Sequence, residues 1–428
     1  MRITVAGRSA QTILMLSLAV GFVLSTVWIT KTYFADRAGH TLTIPSLQMA
    51  SRLNPANSQY HVQLGRLYQY SITNPRPKEA IQQFQSAIRS NPYDPQAWIN
   101  LAAAHEFQGD TSRAEEDLRN ASALAPNLPI YQWTIGNYFL LHGNTGEAFR
   151  HLKVVLAGSR QYDPTIFNIA WKSSGNAGQI LQELIPHDLP AEFSYLNYLV
   201  AQQRFPDAQA VWKRIAASPG KFDPHQAADY IDSLIKTHQA GPAYEAWTDL
   251  QAKGLIRTPP GGPGRNFVTN GNFEDPLLNM GFGWRIVNVP GVYAGLDTAT
   301  FHSPGHSLSI QFYGDHNMNY HQLYQFVKVS PNHAYQLNAF MKTQDITSDS
   351  GPRLEAVDAY DPRALDELTP GMTGSSGGWN PVSMAFKTGP QTQLLLVMLV
   401  RPPSKAGEDT AITGRVWLDD VHLTSAPE

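Results

Sequence analysis

The chain of 428 residues contains no cysteine. Disulfide staples, thiolate metal sites and thiol nucleophiles are therefore excluded, while the redox compartment stays open. Charge is also scarce. Asp, Glu, Lys and Arg make up 16% of the chain, against roughly 25% in ordinary soluble domains. The charges nearly cancel, at a formal net −3, and they form no basic run, so a nucleic-acid partner has no electrostatic footprint. Other catalytic signatures are missing as well: there is no H-E-x-x-H helix, P-loop or dinucleotide fingerprint. His302 and His306 are spaced i,i+4, but the Pro-Gly between them forbids the helix that would bring them onto one zinc. The stretch EAVDAYDPRALDEL, residues 355–368, is rich in carboxylates. A glycosidase needs two of them set across a cleft. On one strand and its following loop they read instead as a solvated rim or a second metal site. A non-enzymatic protein is expected.

Proline and glycine are plentiful and unevenly placed. Residues 257–264 read RTPPGGPG, a stretch whose prolines remove donors and whose glycines free the chain, so it cannot be helix. It divides the chain into an anchor with its flanks (1–40), a helical region (41–256), a linker (257–264) and a C-terminal domain (265–428). Within the first of these, residues 10–30 carry no charge, and about twenty apolar residues suffice to cross roughly 30 Å of hydrocarbon. Trp28 and Tyr33 fall near the far interface. Arg2 and Arg8 flank one side, and Lys31 and Arg37, offset by Asp36, flank the other, so the positive-inside rule puts the N-terminus in the cytoplasm. The rival is a cleaved signal peptide, which has a shorter apolar core and a small-x-small site that Tyr33 and Ala35 do not supply. The expectation is an uncleaved single-pass anchor in a bacterial cytoplasmic membrane, with the bulk of the chain in the periplasm.

The helical region repeats with a period of about 34 residues. In the clearest unit Trp98, Leu101, Ala102 and His105 share one helix face, Gly109 and Asp110 turn the chain, Ala114, Leu118 and Ala121 line a second helix, and Pro126 stops it. An earlier unit carries Leu64, Gly65, Tyr68, Ala80, Phe84, Ala87 and Pro92, and a later one Ile135, Gly136, Phe139, Ala148 and Leu152. After a degenerate stretch at 163–186, Ala208 with Trp212 and Ala243 with Trp247 mark two more. The pattern resembles the tetratricopeptide repeat (TPR), in about five or six copies. Hairpins of this kind stack because none can bury its own apolar face. The resemblance implies a concave groove for a protein partner. The opening stretch ASRLNPANSQYHVQLGRLY is similar to repeat regions that accompany polysaccharide polymerase and ligase systems.

Beyond the linker the apolar period changes to two. SLSIQFYG alternates Leu308, Ile310 and Phe312, QFVKVSP places Val327 and Val329 together, and HAYQLNAFM alternates Tyr335, Leu337 and Ala339. About nine or ten short strands between turn residues predict an all-β sandwich. In GRVWLDDVHL, strict alternation sets Val416, Leu418, Asp420 and His422 against Trp417, Asp419, Val421 and Leu423. Trp284, Trp379 and Trp417 read as sandwich core.

The opening NGNFE and the closing VWLDDVHL, with SPGHSLSI, QFVKVSPNHAYQL and GWNPVSMAFKTG between them, resemble carbohydrate-binding jelly-roll modules of the family 4/9/16 type. That resemblance implies one structural calcium where the first and last strands meet. Glu274 and Asp419 would hold it, with carbonyls near Ser303 to His306 completing the shell; otherwise the two carboxylates cap turns or pair with Arg285 or Arg415. Sugar binding would need aromatic platforms and amide donors, and Tyr313, Asn319, Tyr320, Tyr324 and Trp379 are the candidates. The expected whole is a transmembrane helix, an all-α solenoid and an all-β sandwich. It would bind a protein partner through the solenoid and an oligo- or polysaccharide through the sandwich, as in surface polysaccharide assembly or export. Two alternatives are a pure protein scaffold with the sandwich as spacer or adhesion tip, and a hydrolase using Asp358 or Asp361.

Overall fold

A computed structural model describes residues 8–257, 265–314, 316–406 and 410–426. The linker expected at 257–264 therefore lies, apart from Arg257, outside the described residues. The chain forms two compact units, Met1–Pro186 and His187–Glu428.

The first unit begins with a long helix, α1 (Arg8–Gly39), and then α2 (Ile44–Leu53). Helical hairpins follow: α3 (Ser58–Gln69) with α4 (Pro77–Ser90), α5 (Pro95–Phe107) with α6 (Thr111–Leu124), and α7 (Pro129–Leu141) with α8 (Thr145–Gly158). α9 (Asp163–Ser174) and a short α10 (Ala177–Gln179), continued as a π-turn through Leu184, close the unit. The boundaries follow from local chemistry. Pro95 and Pro129 sit in first turns, where a missing N–H costs nothing. Asp94, Asp110 and Asn144 accept N–H groups at helix starts. The Leu-Gly pair of the first repeat has a steric reason: a Cβ on Gly65 would come within 2.6 Å of the Phe84 ring. Ala80, Phe84, Ala114, Leu118, Ala121, Ile135 and Ala148 are buried at the repeat positions that predict burial.

The second unit joins four helices to the sandwich: α11 (Leu189–Ala201), α12 (Phe205–Ala217), α13 (Ala228–Lys236) and α14 (Ala240–Ala252). Ten strands follow: β1 (Arg285–Ile286), β2 (Val292–Asp297), β3 (Ser307–Tyr313), β4 (Tyr320–Lys328), β5 (Ala334–Gln344), β6 (Arg353–Asp358), β7 (Asp366–Leu368), β8 (Asn380–Lys387), β9 (Leu394–Arg401) and β10 (Thr413–Ser425). They make two five-stranded antiparallel sheets, ordered β1-β4-β9-β6-β7 and β2-β3-β10-β5-β8. Their inner faces share one core containing Trp284, Leu308, Ile310, Leu337, Leu354, Val397, Val416 and Leu418. The first segment of the sandwich runs beside its last strand: Phe267 N donates to Leu423 O at 2.9 Å, and Val421 N to Gly271 O at 2.8 Å.

Two bulges change which side chains face inward. β10 shifts register between Asp419 and His422, and Asp420 has φ +50. The core side thus receives Val416 and Leu418 before the bulge and Val421 and Leu423 after it, where strict alternation would have split them. β4 shifts between Tyr320 and Leu323, which turns both inward. Of the three tryptophans, Trp284 is core, Trp417 is buried on the outer face of its sheet, and Trp379 is half-buried in a loop.

Candidate binding surfaces

The carboxylates expected at the two ends of the sandwich do meet on one loop. Asp419 Oδ2 accepts from His302 N (2.8 Å) and Ser303 N (3.0 Å), and Oδ1 accepts from Asp420 N (2.7 Å). Glu274 Oε1 accepts from His306 N at 2.9 Å, and its Oε2 lies 3.3 Å from His306 Nδ1. His302 Nδ1 approaches Asp420 Oδ2 at 2.6 Å. Asp419 is fully buried, and that burial raises its pKa against the pull of the three N–H groups. Calcium needs six to eight oxygens with free lone pairs. The residues expected around it are present, but at Ser303 and His306 it is the N–H groups that face the carboxylates. Among the described residues, no three His, Asp or Glu side chains group as a metal site requires. The two carboxylates are held by backbone N–H groups as a hydrogen-bonded clasp, and we propose that the clasp works without the ion. Chelation should accordingly leave the melting temperature of the full chain unchanged within about 1 °C, measured by calorimetry. A drop of several degrees, reversed by calcium, would overturn the assignment.

The outer face of the β1-β4-β9-β6-β7 sheet is the richer surface. Register places Arg285, Tyr324, Met398, Glu355 and Leu368 in one row across it, with Leu396, Val357 and Asp366 in the next. Phe326 pairs with Leu396 and so joins the second row. Tyr324 and Phe326 meet edge to face at 5.7 Å, and the Arg285 guanidinium lies over both rings, 6.0 and 5.3 Å from their centroids. Arg285 is itself held by Asp232 of α13. Burial, then the neighbouring Asp366, raises the Glu355 pKa to about 7. The sign follows from linkage. A carboxyl whose folded pKa is raised adds stability below its unfolded pKa and loses it as pH climbs through the folded value. Glu355→Gln should therefore stabilise the chain above pH 7 by about 1 kcal/mol after solvent screening, with no gain at pH 4, as read by urea unfolding at the two pH values.

The five glycan candidates do not form one site. Tyr320 is 1% exposed and packs edge to face on Phe312 in the core, so the bulge in β4 withdraws it from any sugar platform. Tyr324 lies on the surface just described. Tyr313, 61% exposed, stands on the outer face of the opposite sheet beside Tyr293, which is 62% exposed. Asn319 is exposed in the loop before β4, and Trp379 stands edge-on to His302, which stacks on Phe340. The hydrolase candidates are turn caps: Asp358 accepts from Tyr360 N and Asp361 N, and half-buried Asp361 pairs with Arg363. Phe326 was not singled out in the sequence, and Glu355 and Asp366 lie in the carboxylate-rich stretch 355–368 without being marked there as a pair. Tyr324 and Phe326 share parity in YQF, which was the available signal; the acid pair needs the β6–β7 hairpin to exist.

In the first unit, a groove of about 310 Å³ runs along α3, α5 and α7, lined by Gln69, Ile99, Ala103, Phe107, Leu118 and Tyr138. Phe107 is exposed, while Gln69 is buried with its Oε1 unpartnered among the described residues. Glu106 at the rim accepts from Tyr138 Oη (3.1 Å) and faces His142 Nε2 (2.8 Å).

No protein-family model matches the chain, and no curated protein matches it. Among solved structures, the sandwich is similar to the CBM22-1 xylan-binding domain of Paenibacillus barcinonensis Xyn10C, at 12% identity over 40% of this chain and 99% of that one, TM-score 0.27. It is also similar to the enzymatically active domain of bacteriophage CBA120 tailspike protein 4, at 15% identity over 38% of this chain but only 21% of that one, TM-score 0.27. The helical region is similar to MamA, at 16% identity over 47% of this chain and 100% of that one, TM-score 0.30. At such scores the likenesses transfer neither activity nor ligand to this chain.

Proposed function

We propose that this chain is a membrane-anchored, non-enzymatic binding protein whose helical hairpins engage a protein partner and whose sandwich engages a glycan outside the cytoplasm, in the assembly or export of a surface polysaccharide. The supporting observation is the combination on one sheet face of a paired aromatic surface, Tyr324 and Phe326, with hydrogen-bonding carboxyls, Glu355 and Asp366. Sugars present apolar C–H faces and hydroxyl edges, and this surface offers a counterpart to each. The N-terminal helix supports the anchor: within Ser9–Gly39 its most apolar 18 residues have mean hydropathy 2.2 and are wholly unburied. The groove beside Phe107 supports the protein partner.

A glycan array probed with the full chain in detergent is the test. Tyr324→Ala should lower affinity for the bound glycan at least tenfold while leaving the melting temperature within about 2 °C. Binding to no glycan would favour the alternative, a protein scaffold in which the sandwich is a structural end-piece. The Asp232–Arg285 ion pair that fastens α13 to the sandwich favours that second reading.

A further inference from the structure

Resting on the anchor reading, we propose that the α1–α2 hairpin seats the first repeat directly in the headgroup layer of an anionic bilayer, through an edge made by Lys31, Tyr33, Phe34 and Arg52. The helix that is long and apolar enough to cross a membrane is also the helix that closes the first repeat. α1 runs unbroken from Arg8 to Gly39. Its last turns leave the exposed stretch and enter protein: Ala35 is 0% exposed and packs with Ala50 and Tyr60, joined by Ala38 and Leu53. A Cβ on Gly39 would come within 2.5 Å of the Tyr60 ring. No loop separates span from repeat.

The distances are short. At about 1.5 Å per residue, the last residue of the uncharged run, Thr30, and the buried Ala35 are roughly 7–8 Å apart. A headgroup layer is about as thick, since the bilayer grows from about 30 Å to about 40–45 Å when both layers are counted. Tyr33 and Phe34 then lie within that layer. They are 58% and 49% exposed and meet edge to face at 5.5 Å, as an interfacial aromatic pair would. The chain also folds back toward the same level. Residues 40–43 join α1 to α2, a link short enough to make the helices antiparallel, and Ala50 lies against Ala35. Arg52 and the turn after it are thereby returned to the depth of residues 31–34. Lys31 and Arg52 are exposed, and exposed Asp36 faces His40 at 3.4 Å. The edge is apolar-aromatic with net positive charge, which suits phosphate-bearing lipid.

Because the chain has no cysteine, single nitroxide labels can be placed cleanly on the full chain in vesicles containing phosphatidylglycerol. Ala56→Cys puts one in the turn after α2, and Leu42→Cys puts one at the far end of the hairpin. The label at 56 should favour collision with oxygen over a water-soluble nickel chelate, and the label at 42 should show the reverse. In purely zwitterionic vesicles, nickel access at 56 should at least double. Replacing Tyr33 and Phe34 together by Ser, which leaves the apolar span untouched, should make position 56 as aqueous as position 42. Equal nickel access at 56 and 42 in the unsubstituted anionic sample overturns the proposal, as does unchanged depth in the double variant. Mass spectrometry and carbonate extraction of the same samples separate the underlying reading. A shortened chain that washes off the membrane sinks the anchor and the proposal together. A full-length, carbonate-resistant chain with an aqueous label at 56 sinks only the seating.

Discussion

Arg401→Met should destabilise the second unit by about 3–5 kcal/mol, because it leaves a set of buried acceptors without donors. Arg401 ends β9 and is 0% exposed. Its guanidinium donates from Nε to Ser350 O at 3.0 Å, from Nη1 to Asn317 Oδ1 and Met318 O at 2.8 and 2.5 Å, and from Nη2 to Ser348 Oγ and Thr410 O at 2.7 and 2.8 Å. An arginine has five N–H donors in a fixed fork, and here each finds an oxygen. Those oxygens come from three separate loops at one end of the sandwich, so a single side chain replaces a small core there. Lysine keeps the charge but not the fork, and Arg401→Lys should recover less than half of the loss. Arg363, whose side chain is 91% exposed, supplies the control: Arg363→Met should leave the urea midpoint unchanged. Urea unfolding followed by far-ultraviolet circular dichroism reads all three. Equal small effects at 401 and 363 would show that the loops hold without the fork.

The sequence made the architecture legible because period is a direct consequence of geometry. An i,i+3,i+4 stripe from Trp98 to His105 can only be a helix face, and Leu308, Ile310 and Phe312 can only share one side of a strand. The repeats also betrayed their small residues, since Gly65 is small for the ring of Phe84. What stayed hidden depends on single irregularities. One extra residue in β10 sends Val421 and Leu423 inward with Val416 and Leu418, and one in β4 sends Tyr320 into the core. Neither bulge has a composition signature in VWLDDVHL or YHQLY. The clasp shows a second limit. Motif spacing located Glu274, Asp419 and the 302–306 loop, but not whether N–H or C=O groups would face the carboxylates, because that is set by the dihedrals of a turn.

Trp247→Ala exposes the largest such gap and should cost about 3–5 kcal/mol. Spacing from Ala243 marks Trp247 as repeat packing, and it is indeed 0% exposed. Its ring, however, also reaches into the sandwich. Gly281, at φ +51, brings its backbone so near that a Cβ there would meet the Trp247 ring at 2.7 Å, and Phe282 packs at 6.0 Å between centroids. Around this contact Asp232 accepts Gly281 N at 2.8 Å and pairs with Arg285, Tyr360 Oη donates to Ile235 O at 3.0 Å, and His238 stacks on Tyr360 at 4.1 Å. A tryptophan seated so closely couples two folds that covalent connection alone would leave independent. Helices α11–α14 and the sandwich should therefore melt in one calorimetric transition in the unsubstituted chain. In Trp247→Ala the transition should split, with the helical part unfolding first and the sandwich several degrees later. A single transition that only moves down would mean that the polar contacts around Asp232 suffice for the coupling, and that the indole contributes volume alone.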